Sequence, residues 1–65
     1  MDNQDVIAFT NEVRQFVQIA SQNGKIPSDK VDSIIEKLES TKQDALAEGI
    51  NVDPINGLIA ELKES

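Results

Sequence analysis

The sequence predicts an all-α fold, a small antiparallel three-helix bundle in a single domain over residues 1–65, with helices at about 3–22, 29–48 and 54–63. Three observations predict it. Two Gly-containing segments, Asn23–Ser28 and Gly49–Pro54, punctuate the chain. Apolar residues in the three stretches between them recur with helical rather than alternating spacing. The connections are about five residues long, which favours antiparallel neighbours. The chain has 65 residues, 38% of them hydrophobic and 28% charged, too few for two cores and too regularly patterned for disorder.

The first helix is amphipathic. At 100° per residue, with Val6 at zero, Phe16, Phe9, Ala20, Val13, Val6 and Val17 fall between about 280° and 20°, a stripe roughly 100° wide. Asp2 and Asp5 stand at its start, where carboxylates accept free backbone N–H groups and complement the positive end of the helix dipole. Asn23-Gly24 supplies the stop.

The second helix starts at Ser28 or Asp29, with Pro27 keeping the preceding chain extended. Its expected core stripe is Val31, Ile34, Ile35, Leu38, Ala45 and Leu46. Lys42 interrupts the stripe, laying its methylenes on apolar surface while its ammonium reaches water. Gly49 is the expected left-handed cap. In the third helix, Asp53 is read as a capping carboxylate and Pro54 as the first helical residue, after which Ile55, Leu58, Ile59 and Leu62 follow at i, i+3, i+4 and i+7. This short helix, with Gly57 inside it, depends on packing and is expected to cover the open side of the seam between the other two. Ile26, Ile50 and Val52 in the connections are expected to close the ends of the core.

Composition narrows the functions. Twelve acidic residues against six basic ones give a formal charge of −6, which disfavours nucleic acid and anionic membrane as partners. The chain lacks Cys, His, Trp and Tyr, which removes disulfides, thiolate chemistry, Cys/His zinc sites and the usual imidazole acid–base catalyst. No apolar run approaches the roughly 20 residues of a membrane span, and the acidic Met1–Asp5 segment does not resemble a signal-peptide opening. The expected location is cytoplasmic.

Four patterns invite a chemical reading and fail it. Asp32, Glu36 and Glu39, continued by Gln43, share one face of the second helix, but one helix face converges too few oxygens on a cation. Asn51–Gly57 superficially resembles a calcium loop, yet counting back from Gly57 puts Val52 and Pro54 where ligands belong. Ser21, Ser28, Ser33 and Ser40 have no base to activate them. A helix-turn-helix reading would make the third helix the recognition element, but its only base is Lys63.

The expectation is a non-enzymatic protein–protein interaction or regulatory module of a bacterium or its phage, without cofactor, metal or small-molecule substrate, that recognises a protein partner or itself. It docks through the first helix or the groove beside it. The candidate partner-binding residues are Ile7 and Ile19 as apolar anchors, surrounded by Asn11, Arg14, Gln15 and Gln18, with Arg14 placed to pair with a partner carboxylate. Two alternatives stand beside it: a homo-oligomeric building block whose first helix pairs with its own copy, and an acidic mimic of DNA that occupies the basic groove of another protein.

Overall fold

The computed structural model describes residues 1–64 and contains three helices: α1, Asn3–Gln22; α2, Ser28–Ala47; and α3, Asp53–Glu64. Their order is the predicted one, and the boundaries of α2 and α3 differ from expectation by one residue. The molecule is elongated, 37 × 18 × 15 Å, which follows from helix length. At 1.5 Å per residue the 20-residue α1 and α2 each run about 30 Å and the 12-residue α3 only about 18 Å.

Each helix end has a local cause. At the start of α1, Asp2 and Asp5 form a reciprocal capping box: the Asp5 N–H donates to Asp2 Oδ1 at 2.9 Å and the Asp2 N–H to Asp5 Oδ2 at 3.0 Å. α2 begins after Pro27, whose backbone is extended and whose side chain provides no cap. It ends in a Schellman motif: the Ile50 N–H reaches the Ala45 carbonyl at 2.9 Å, and the Gly49 N–H reaches that of Leu46 at 3.0 Å. Gly49 has φ +72°, the left-handed conformation the motif requires, and Ile50 folds back onto the core.

The expected capping role of Asp53 is taken by its neighbour. The Asp53 N–H donates to Asn51 Oδ1 at 3.1 Å, the Asn56 N–H bonds the Val52 carbonyl at 3.0 Å, and Pro54 therefore lies one position further into the first turn than predicted. A short amide side chain two residues ahead captures the free N–H before the helix starts, and proline is tolerated there because first-turn N–H groups have no helical partner.

The arrangement of the core corrects one expectation. α3 does not merely cover a seam between α1 and α2. It packs against both, whereas α1 and α2 touch each other only weakly. Ile55, Leu58, Ile59 and Leu62 are all buried, so α3 is the centre of the core. Around it are Val6 from α1, Leu38 and Ala45 from α2, and Val52 from the second connection. Phe9, Val13, Val17, Val31, Ile34, Ile35 and Ile50 lie half-buried against this cluster. Ala20, Ile26 and Lys42 are also half-buried.

Two residues assigned to the core by periodicity are outside it: Phe16 is 61% exposed and Leu46 53% exposed. The reason is the direction from which α3 approaches. On α1 the fully covered positions are Val6 and Thr10, at about 0° and 40°, so the buried arc is rotated by roughly 50° from the middle of the apolar stripe. Thr10 accommodates this placement by donating its hydroxyl to the Val6 carbonyl at 2.8 Å, and among the described residues no buried side-chain polar atom lacks a partner. Phe16, at the opposite edge of the stripe, is left facing away from α3.

Candidate functional site

Because α1 and α2 are held apart by α3, the space between them is open on the side that α3 does not occupy. Val13 and Phe16 of α1 and Ser33, Ile34, Lys37 and Leu38 of α2 line a groove of about 230 Å³ there. Its floor is apolar. Lys37 is its only charged lining residue, and the Ser33 hydroxyl is turned to its own helix, donating to the Asp29 carbonyl at 3.1 Å. Phe16 is the largest apolar side chain in the groove and is 61% exposed; Ile19, 64% exposed, is on the following turn of α1.

A second, wider trough of about 890 Å³ lies at the end of the molecule where the first connection turns. Val17, Ile26, Val31, Ile35 and Leu62 supply its apolar lining, and Lys25 and Lys63 are its basic residues. It exists because α3 is shorter than the helices it joins and runs out at Leu62 and Lys63. Asp32 from α2 also lines it, so its charge is mixed rather than basic.

The predicted partner-binding residues are not gathered into one patch. Ile7 and Ile19 are both exposed, at 46% and 64%. They stand twelve residues and roughly 120° apart on α1, so they look out from different sides of the helix. Asn11, Gln15 and Gln18 are exposed between them. Arg14, half-buried on the side facing α3, has an internal partner: its guanidinium donates to Glu61 Oε2 at 2.6 Å, linking α1 to α3. That pair and the bond between the N-terminal ammonium and Glu48 are the ion pairs among the described residues. Of the predicted anchors, only Ile19 lies on the groove side of α1.

Sequence reasoning missed Phe16 as a surface residue because it counted the residue as core. A signal was available in the lengths: a third helix of about ten residues cannot cover two helices twice as long on every side. The direction of its approach, which decides that Phe16 rather than Arg14 is left open, has no counterpart in the spacing of apolar residues.

The other polar groups singled out in the sequence are solvated or bonded to their own helix. Asp32, Glu36, Glu39 and Gln43 are exposed on α2, and among the described residues no group of three His, Cys, Asp or Glu is placed to hold a metal ion. Ser21 donates to the Gln18 carbonyl at 3.0 Å, and Ser28 and Ser40 are exposed. Among the described residues, no helix is long and apolar enough to cross a membrane. Comparison with protein-family models, with curated proteins and with solved structures finds no match to this chain.

Proposed function

We propose that this chain is a non-enzymatic protein–protein interaction module, and that it docks through the groove between α1 and α2. The observation that carries this reading is Phe16: an aromatic side chain 61% exposed at the mouth of an apolar groove, on a molecule whose other outer faces are mostly polar or charged. Aromatic residues of this kind dominate the energetics of protein interfaces when a partner covers them. The apolar character of the groove supports recognition by surface burial. The location proposed with it is the cytoplasm, and the role a regulatory or adaptor one.

Within this reading Phe16 and Ile19 are the anchors, with Gln15 beside them, and Ile7 lies outside the contact. Affinity capture from the native host tests it, using the wild-type chain beside Phe16→Asp and Ile7→Asp variants whose helicity has been verified by circular dichroism. A specific captured protein that is lost with Phe16→Asp and retained with Ile7→Asp is the expected result. Capture that ignores Phe16 but weakens steeply with salt would transfer the contact from the groove to the carboxylates, as an acidic mimic of DNA requires.

A further inference from the structure

We propose that Asn23 is a site of spontaneous covalent modification in the folded protein: its side-chain amide deamidates through attack by the Gly24 nitrogen, while the same dipeptide at Asn56-Gly57 is protected by α3. This goes beyond the docking reading and does not depend on it. The sequence holds two Asn-Gly pairs, and the structure puts one just past the end of α1 and the other inside α3.

The reaction needs only the chain and water. The backbone nitrogen of Gly24 gives up its proton and bonds Asn23 Cγ, and the side-chain nitrogen takes up a proton and leaves as ammonia. The product is a five-membered imide. Water then adds to one of its two carbonyls and opens the ring, giving aspartate or, with an extra methylene in the backbone, isoaspartate. Glycine favours the attack because no Cβ crowds its nitrogen. Ring closure also requires the peptide after the asparagine to turn about its Cα–C bond until that nitrogen meets Cγ, so the backbone must be able to turn.

At Asn23 the turn costs little. Asn23 is exposed, directly follows the last residue of α1 and has ψ 11°. Turning the next peptide away from that angle breaks the bond of the Gly24 N–H to the Ser21 carbonyl, which is 3.2 Å long and closes the end of a helix rather than its interior. Asn56 is exposed as well, so contact with water does not separate the two sites. The backbone does. Gly57 is the fifth residue of α3, and turning the peptide before it unwinds the first turn of that helix between Ile55 and Leu58, both buried. Reaction there must wait until the centre of the core opens.

The new carboxylate would stand at the C-terminal end of α1, where unbonded carbonyls already concentrate negative charge and the last turn carries no base. Gly24 and Lys25 line the wide trough, so the modification alters the rim of that trough. The groove beside Phe16 is lined by neither residue.

Ageing the full folded chain at mildly alkaline pH, below its melting transition, tests the proposal, with a parallel sample held unfolded in urea. Trypsin cuts after Arg14 and Lys25, and after Lys42 and Lys63, so Asn23 falls in the fragment 15–25 and Asn56 in the fragment 43–63. Mass spectrometry of these fragments follows conversion of amide to acid against an unaged control. In the folded chain Asn23 should convert at least about tenfold faster than Asn56, and in urea the difference should collapse. Isoaspartate should accompany aspartate at Asn23, because direct hydrolysis of the amide gives aspartate alone. Gly24→Ala should slow conversion at Asn23 in urea too, which separates crowding of the nitrogen from any change of fold. Equal rates in the folded chain, a difference that persists in urea, aspartate as the sole product, or indifference to Gly24→Ala would overturn the proposal.

Discussion

Leu38 and Leu46 are the same residue in the same helix, both belong to its apolar stripe, and the structure gives them opposite fates. Leu38 is 0% exposed, held between α2 and α3, and Leu46 is 53% exposed. Truncating a fully buried leucine to alanine removes its transfer free energy and leaves a cavity, at a cost of about 2–5 kcal/mol. A domain of this length is stable by roughly 3–10 kcal/mol in total, so Leu38→Ala should remove about a fifth of that or more. Since 1 kcal/mol shifts the midpoint of a small domain by about 4–8 °C, the melting temperature should fall by 10 °C or more. Leu46→Ala gives up about half the burial of one leucine, leaves no enclosed cavity, and gains the better helix propensity of alanine, so its cost should stay below about 1 kcal/mol. Urea unfolding followed by far-ultraviolet circular dichroism, in dilute protein, measures both. Losses that agree within about 0.5 kcal/mol, the usual scatter of surface substitutions, would refute the placement of α3 as the centre of the core.

Two glycines separate backbone conformation from packing, because a Cβ built on either Gly49 or Gly57 meets nothing within 4 Å. Gly49→Ala must place a side chain at φ +72° and should destabilise the fold by about 1 kcal/mol or more. Gly57→Ala, within α3, should stabilise it by up to about 1 kcal/mol; thermal melts of the two variants shifting in the same direction would contradict this assignment. The Arg14–Glu61 pair, with side chains 38% and 61% exposed, should show a coupling below about 1 kcal/mol in a double-mutant cycle, and the coupling should vanish near 1 M salt. A larger, salt-resistant value would mean that the pair is shielded from water.

The capping box at Asp2 and Asp5, the turn at Gly49 and the four-residue stripe of α3 are legible in the sequence because each rests on interactions within a few residues. Caps, left-handed turns and helical periodicity are local physics, and they fix three helices, their lengths and their antiparallel order. The sequence also determines the charge of −6 and the lack of imidazole and thiol groups, which shape the proposed function before any geometry is known. Tertiary structure alone decided which part of each apolar stripe is covered. A helix stripe about 100° wide is compatible with a neighbour approaching from anywhere along it, and α3 came in at the Thr10 and Arg14 side of α1, so a threonine is buried and a phenylalanine is left in water. An open side between α1 and α2 follows from a third helix that packs against both and holds them apart, and its location beside Phe16 depends on how three rods settle around the four large side chains of the shortest one.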